Sequence, residues 1–211
     1  MSGLAAAVVA TARAMNGCGI NRGSAGNVSA RDGATGFLIT PTGMAYEQIA
    51  AADIVAMDSD GGYSGSRKPS SEWRFHRDLY AARPEVGAII HTHAPFATSL
   101  ACMTVDIPAF HYMIARFGGA DVRCARYATF GTQELSEAVV EAMRGRCACL
   151  MAHHGMLVCG ADLERTLALA SEFETLCEQY WRVLQIGTPL LLGAEEMARV
   201  LAKFADYGQQ Q

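Results

Sequence analysis

The chain has 211 residues, of which 51% are hydrophobic and 18% are charged. Such a composition is typical of one globular domain with a full apolar core, so we treat residues 1–211 as a single domain. The formal net charge is −4 and the chain has no block of Lys or Arg, which argues against a nucleic-acid-binding protein. No apolar stretch reaches the roughly 18–20 residues that span a bilayer, so we expect no membrane partner.

The cysteine content indicates a reducing compartment. An odd number of cysteines, mostly in apolar surroundings, favours reduced and buried thiols and therefore a cytoplasmic protein. Cys147 and Cys149 could be imagined as metal ligands, but no second pair follows at the spacing of a zinc ribbon. The seven cysteines are Cys18, Cys102, Cys124, Cys147, Cys149, Cys159 and Cys177.

The first half of the chain predicts one helix followed by short antiparallel strands. Leu4, Val8, Ala12 and Met15 recur at helical spacing, and Gly17 would end that helix. Alternating or apolar segments between turn residues then predict a hairpin and a third strand. The predicted elements are strands over 27–31, 36–40 and 54–57, a short helix over 46–52, and a loose hairpin or loop over 58–65.

The second half of the chain interleaves helices with buried strands. Thr132 and Asp162 are predicted N-caps of two helices, and Gly187 with Pro189 would end the longer one. The predicted helices cover 72–82, 96–102, 133–144, 163–186 and 195–205, and the predicted strands cover 88–93, 147–152 and 156–158, with irregular chain or a short strand over 107–113. Antiparallel strands followed by strands that alternate with helices predict one α/β domain whose mixed sheet is covered by helices.

The most informative motif is a pair of histidines at the end of a buried strand. His91 and His93 follow the apolar run 88–90, and strand side chains alternate, so both imidazoles point to the same face. The segment 153–155, His-His-Gly, follows a second apolar run and supplies a third imidazole. Three imidazoles leave room for a carboxylate, water or substrate on a divalent metal, so the pattern favours a metal enzyme. A structural, hydrogen-bonded role for these histidines stays open, and His76 is interpreted as a solvated or packing residue.

Three loops of small residues could together bind an anion. Ser70, Ser71 and Glu72 lie at a predicted helix start, where backbone N–H groups and the helix dipole favour negative charge. Alone, this segment is more typical of N-capping. Two further loops, 23–27 and 42–43, offer hydroxyl, amide and unhindered backbone donors. The three loops would form a phosphate cradle without lysine if the fold brings them together.

Five motifs in order give the sequence a specific resemblance. They are Gly23-Ser24-Ala25-Gly26-Asn27-Val28-Ser29, Thr40-Pro41-Thr42-Gly43, Pro69-Ser70-Ser71-Glu72, His91-Thr92-His93 and His153-His154-Gly155. Together they resemble the class II aldolase/adducin family, and the likeness covers nearly the whole chain. The resemblance implies an α/β fold: a single-domain α/β/α sandwich with a mixed, largely antiparallel central sheet.

The resemblance also implies site residues. One Zn²⁺ ion per subunit would be held by Glu72, His91, His93 and His154, with Mn²⁺ or Co²⁺ open because nitrogen and oxygen ligands accept all three. Phosphate contacts would come from Ser24, Gly26, Asn27, Thr42, Gly43, Ser70 and Ser71. The family assembles as homotetramers with active sites at subunit interfaces, so Tyr112 would reach into a neighbouring subunit's site. Phe130 would lie near the aldehyde, and a C-terminal tail would contribute Phe204 and Tyr207.

The activity implied by the resemblance is a metal-dependent aldol cleavage. A ketose 1-phosphate of the L-fuculose type would be cleaved reversibly, through a metal-stabilised enediolate, into dihydroxyacetone phosphate and a small aldehyde such as L-lactaldehyde. Glu72 would move a proton at the enediolate carbon, and Tyr112 would exchange a proton with the aldehyde oxygen. Within the family, a 5-deoxypentulose-1-phosphate aldolase, a decarboxylase or a 4-epimerase stays open. Two non-enzymatic alternatives are a non-catalytic scaffold of the adducin type and a protein with a closed structural zinc site.

Overall fold

The structure, a computed structural model, describes residues 2–205 of the chain. Its helices are α1 (Ser2–Gly17), α2 (Trp73–Ala82), α3 (Pro95–Ala101), α4 (Gln133–Ala142), α5 (Leu163–Ile186) and α6 (Ala194–Ala205). Its strands are β1 (Asn27–Asp32), β2 (Gly36–Ile39), β3 (Val55–Met57), β4 (Tyr63–Ser64), β5 (Ala88–Thr92), β6 (Cys124–Ala125), β7 (Ala148–Met151) and β8 (Gly155–Gly160). Further 3₁₀ turns cover Tyr46–Gln48, Ala51–Asp53 and Tyr112–Phe117. None of the helices in this described range is long and apolar enough to cross a membrane.

The eight strands form one sheet in the order β4-β3-β2-β1-β5-β8-β7-β6. Neighbouring strands run antiparallel, except that β6 and β7 are parallel. The predicted mixed, largely antiparallel sheet is therefore confirmed. Short turns join β1 to β2 and β7 to β8, two 3₁₀ turns lie between β2 and β3, and helices separate β4 from β5 and β6 from β7.

Helices cover both faces of the sheet, and the side chains of β5 alternate between the two layers. Ile90 packs into an apolar cluster with α1, α3 and α5, whose most buried side chains include Phe173. Ile89, its neighbour in the strand, packs into a second cluster with α2 and α4 that contains Leu79 and Val139. Because strand residues alternate faces, a fully buried strand such as β5 must be apolar on both sides. The predicted α/β/α sandwich is confirmed.

The central position of β5 determines where the histidines lie. Strand β5 pairs with β1 on one side, where Asn27 is opposite His91, and with β8 on the other, where Met156 is opposite Thr92. Because β7 and β8 are antiparallel, the turn that joins them lies at the same end of the sheet as the C-terminal end of β5. His153 has a φ of +54° in this turn, which confirms the predicted sharp bend.

Some local predictions are wrong, and the reasons are tertiary. The segment 46–52 forms two 3₁₀ turns instead of one helix, with extended backbone at Ile49 between them. Arg13, from α1, donates to the carbonyls of Tyr46, Glu47 and Ile49 and so replaces helical hydrogen bonds. The sequence did not predict β6, because its two residues are too few to show a period.

Candidate active site

Three histidine side chains meet at the C-terminal end of β5. His91 lies within the strand, His93 follows its end, and His154 comes from the turn between β7 and β8. One imidazole nitrogen from each ring lies within 4.8 Å of the other two. The rings contact one another edge to face, with centroids 4.8–5.1 Å apart. The three histidines that the sequence singles out thus form a group that could hold one metal ion.

The backbone of β8 sets the orientation of the His91 ring. Its Nδ1–H donates to the carbonyl oxygen of Met156 at 2.9 Å, so the lone pair of a neutral ring is on Nε2. Metal-ligating histidines usually donate their other N–H in this way, which fixes the tautomer and raises ligand basicity. The ring is 0% exposed. The strand register therefore holds a ligand atom in place before any metal binds.

Glu72 faces two of these histidines from the N-terminus of α2. Its Oε2 lies 3.2 Å from Nε2 of His91, and its Oε1 lies 3.3 Å from Nε2 of His154. Among the described residues, neither Glu72 Oε1 nor His91 Nε2 has a hydrogen-bond partner, although both atoms are buried. Two acceptors in contact are costly unless a cation lies between them. This arrangement fits a divalent metal held by three imidazoles and one carboxylate.

The electrostatics of the group suit metal binding near neutral pH. Burial and the charge of His91 lower the pKa of His93 to about 4, and burial with the charge of His91 lowers that of His154 to about 4. Burial acts to raise the pKa of Glu72, but the electrostatic interaction with the neighbouring imidazoles of His91 and His154 holds it at about 2. Neutral imidazoles and an ionised carboxylate are the forms that ligate metals.

A row of buried polar side chains continues from Glu72 into the protein. Asn27 Nδ2 donates to Glu72 Oε2 at 3.1 Å, and Asn27 Oδ1 lies 2.6 Å from Nε2 of His76. Nδ1 of His76 lies 2.7 Å from Ser29 Oγ, which in turn lies 2.8 Å from the Tyr80 hydroxyl oxygen. The interpretation of His76 as a solvated residue is wrong, because its ring is 0% exposed and bonded through both nitrogens. The other interpretation, that His76 is a packing residue, agrees with its burial, and the ring is hydrogen-bonded as well.

The three small-residue loops are joined by backbone hydrogen bonds beside this group. Val28 N donates to Thr40 Oγ1 at 3.1 Å, which ties the first loop to the second. Ser70 N donates to the carbonyl oxygen of Thr40 at 3.0 Å, and Pro41 bridges Pro69, which ties the second loop to the third. The sheet order thus brings together the loops that sequence reasoning could only place apart. Gly26 has a steric reason to be glycine, because a Cβ there would collide with the carbonyl oxygen of His91.

A cavity of about 300 Å³ opens onto the histidines. Ala25 and Ser71 contribute the edges of two of the loops, and Phe130 contributes an aromatic wall. Sequence reasoning missed Tyr127 and His153, which also line this cavity. The available signals were that His153 is the first residue of the His-His-Gly motif and that Tyr127 lies three residues before Phe130.

Tyr112 and Phe204 lie together in a different part of the structure. Their rings stack with centroids 6.3 Å apart and planes 3° from parallel, beside a cavity of about 870 Å³ between the third 3₁₀ turn and α6. Within residues 2–205, the lining of the histidine cavity includes Phe130 but neither of these two rings. Tyr207 lies outside the described residues. The fold of the single chain therefore brings Phe130 to the histidines and leaves Tyr112 and Phe204 elsewhere.

Comparison with known proteins identifies the family to which this fold and site belong. Residues 6–181 match the family model of the Class II Aldolase and Adducin N-terminal domain. The chain belongs to this class II aldolase and adducin family.

The most similar relatives include two kinds of aldolase. The chain is 55% identical over 201 residues to the 5-methylthioribulose-1-phosphate/5-deoxyribulose-1-phosphate aldolase of Rhodospirillum rubrum, covering 95% of this chain and 90% of that protein. It is 46% identical over 206 residues to the L-fuculose phosphate aldolase of Escherichia coli, covering 97% of this chain and 95% of that protein. A solved structure of L-fuculose 1-phosphate aldolase superposes with a TM-score of 0.94 at 38% identity over 97% of each chain.

These likenesses define the enzyme class. The protein is a class II aldolase, a lyase of a class that depends on a metal, and its aldolase relatives are named for phosphorylated sugars. The His91, His93 and His154 group is the place in the described structure that could hold that metal.

Proposed function

We propose that the protein is a zinc-dependent aldolase that reversibly cleaves a ketose 1-phosphate into dihydroxyacetone phosphate and a small aldehyde. The observation that carries the proposal is the contact of Glu72 with two of three clustered histidines, beside three loops suited to an anion. Glu72, His91, His93 and His154 would hold the ion. When bound, zinc supplies a Lewis acid that stabilises negative charge on the oxygens of the ketose.

Glu72 is the group in reach that can move a proton at carbon. Cleavage breaks the bond between C3 and C4 of the ketose and leaves the electron pair on C3, conjugated with the C2 carbonyl. The C4 hydroxyl loses its proton as the aldehyde forms, and Glu72, which is ionised at rest, would take up a proton from solvent and deliver it to C3, so that C3 becomes the hydroxymethyl carbon of dihydroxyacetone phosphate and no net proton is gained or lost. In the direction of synthesis, the ionised carboxylate removes that proton, and a pKa held at about 2 keeps it ionised at rest.

The joined loops provide the anchor for the phosphate. Hydroxyls of Ser24, Thr42, Ser70 and Ser71, the amide of Asn27, and the backbone at Gly26 and Gly43 would contact it. The N-terminus of α2 favours an anion through its exposed N–H groups and helix dipole. Binding the phosphate there orients the ketose, which turns binding energy into a lower barrier.

The other half of the substrate would be completed by a neighbouring subunit. Tyr112 is 50% exposed and stands away from the histidines of its own subunit, as expected for a residue that acts on the adjacent site. In a homotetramer it would exchange a proton with the oxygen of the departing aldehyde. Phe130 would contact the aldehyde, and the resemblance to the family implies that Phe204 and Tyr207 would also act at this end of the substrate.

The similarity of the Rhodospirillum rubrum enzyme favours 5-deoxyribulose 1-phosphate or 5-methylthioribulose 1-phosphate as substrate. L-Fuculose 1-phosphate is the second candidate, supported by the Escherichia coli relative and the solved structure. The three sugars share the carbons that become dihydroxyacetone phosphate and differ in the aldehyde. The aromatic wall of the cavity, Tyr127 and Phe130, suits the apolar ends of these aldehydes.

A coupled assay that follows dihydroxyacetone phosphate separates these candidates. The zinc-loaded protein is given each of the three sugar phosphates, and kcat/KM is compared. The proposal expects release from at least one, with the 5-deoxypentulose phosphates fastest. Release of carbon dioxide from a phosphorylated oxo acid, with none of the three sugars cleaved, would move the protein to the decarboxylase branch. Interconversion of a pentulose phosphate without cleavage would move it to the 4-epimerase branch.

A further inference from the structure

The row of buried polar groups behind Glu72 has a direction that the chemistry of its atoms determines. Asn27 Nδ2–H donates to Glu72 Oε2 at 3.1 Å, which is the direction that a carboxylate oxygen facing a metal site requires, because such an oxygen only accepts. The other atom of that amide, Oδ1, only accepts. The His76 Nε2 that lies 2.6 Å from it must therefore carry a proton.

The remaining links follow from the neutral state of His76. Burial and the charge of His91 lower the pKa of His76 to about 3, so at neutral pH the ring has one proton. With that proton on Nε2, Nδ1 is an acceptor, and the hydroxyl of Ser29 must donate to it across 2.7 Å. The Ser29 oxygen can then accept the Tyr80 hydroxyl at 2.8 Å. The four hydrogen bonds of the row therefore run in one consistent order.

We infer that His76 is a positioning residue for the metal site, which orients the Glu72 carboxylate through Asn27 in a one-way hydrogen-bond chain that begins at Tyr80. The inference rests on the proposed role of Glu72 at the metal. This hydrogen-bond chain runs from Tyr80 to Ser29, then to His76 and Asn27, and finally to Glu72.

The location of this hydrogen-bond chain explains how it can hold the Glu72 carboxylate firmly. Asn27 and Ser29 are two residues apart on β1, so their side chains leave the same face of the sheet. That face meets α2, which carries Glu72 at its N-cap and His76 and Tyr80 in its body. The five residues are at most 6% exposed, so water does not compete for these bonds. Strand and helix are thereby cross-linked at the point where the carboxylate must be aimed.

The hydrogen-bond chain also fixes the orientation of the Asn27 amide. Its amide N–H bonds Glu72 and its carbonyl bonds His76, so rotating the amide would place its oxygen against the carboxylate. Partners beyond the direct ligands typically contribute 10- to 100-fold to metal affinity because they fix ligand orientation. We expect His76, one bond further out, to contribute about 10-fold.

Metal affinity in His76 variants tests the inference without requiring any substrate. The zinc dissociation constant is measured by chelator competition for wild type, His76→Phe and His76→Gln. Phe fills space without either hydrogen bond, whereas Gln keeps a donor for Asn27 and an acceptor for Ser29. We expect about 10-fold weaker zinc binding for His76→Phe and recovery of most of that loss for His76→Gln. The control is Thr166→Val, because Thr166 is equally buried but lies in α5.

The result that would overturn the inference is wild-type zinc affinity in folded His76→Phe, or equal losses for His76→Phe and Thr166→Val. If the variants do not fold, ¹⁵N NMR of the histidine rings in the wild-type protein still tests the inference. The proposed hydrogen-bond chain requires a proton on Nε2 of His76 and none on Nδ1. A proton on Nδ1 would refute the inference. Failure of the proposed aldolase reaction would show separately, as absence of cleavage by protein in which this tautomer is found.

Discussion

Gly155 should be essential for metal affinity because its backbone touches two ligand-bearing segments. It follows His154 directly, and a Cβ at this position would lie 2.6 Å from the carbonyl oxygen of Thr92 and 3.0 Å from Cδ2 of His93. Ordinary contact starts at 3.4 Å, so Gly155→Ala must push His93 Cδ2 by roughly 0.4 Å and the backbone carbonyl of Thr92, which joins His91 to His93, by roughly 0.8 Å. The displacement of the Thr92 carbonyl exceeds the tolerance of about 0.5 Å within which functional constellations work.

The magnitude follows from the cost of overpacking. Inserting one methyl group into a packed site costs about 1–3 kcal/mol. Zinc binding would have to restore the original position of His93, so this cost would appear in the zinc dissociation constant as a weakening of about 5- to 150-fold. Chelator competition measures that constant, and urea unfolding of the metal-free protein measures any separate loss of stability.

Gly17→Ala is the matched control for this variant. Gly17 is exposed at the end of α1, and a Cβ there meets no atom within 4 Å. The control should keep wild-type zinc affinity. If Gly155→Ala folds and also binds zinc as tightly as wild type, the packing around the histidines does not hold the ligands as we argue.

Three further predictions concern the carboxylate, the tyrosine and the junction of α2 with α4. Glu72→Gln should retain zinc through the three histidines but lose turnover by about 10²- to 10⁴-fold, and wild-type kcat in that variant would remove Glu72 from proton transfer. Tyr112→Phe should keep the melting temperature and lose cleavage rate, and unchanged cleavage would contradict its role at the aldehyde oxygen. Burial acts to raise the pKa of Asp78, but hydrogen bonds from Arg77, Ser136 and Gln133 lower it below its ordinary value. The extra stability of wild type over Asp78→Asn should therefore be complete above about pH 4 and be lost as pH falls through the lowered pKa, and a difference independent of pH would contradict this.

The clustering of the three histidines could be predicted from sequence because it follows local rules. His91 and His93 share a face through the two-residue period of a strand, and the His-His-Gly segment ends a second apolar run. The predicted N-caps Thr132 and Asp162 are confirmed, since each side chain accepts from a backbone N–H three residues on. Such features need only neighbours along the chain.

The role of His76 could not be predicted in the same way. Its partners Asn27 and Ser29 lie 49 and 47 residues away, and only the packing of α2 on β1 brings them together. The joining of the three loops depends equally on long-range pairs such as Pro41 with Pro69. A histidine on a helix beside charged residues gives no local sign that it is buried.

The measurement that tests the central claim most directly is removal and return of zinc in the cleavage assay. Protein stripped with a chelator is assayed on 5-deoxyribulose 1-phosphate and on L-fuculose 1-phosphate, before and after one equivalent of zinc is added per chain. The account predicts that release of dihydroxyacetone phosphate disappears with the metal and returns with it, and that His91→Ala protein does not recover. Full cleavage by metal-free protein, or none by protein shown to hold zinc, would contradict a zinc-dependent aldolase at this site.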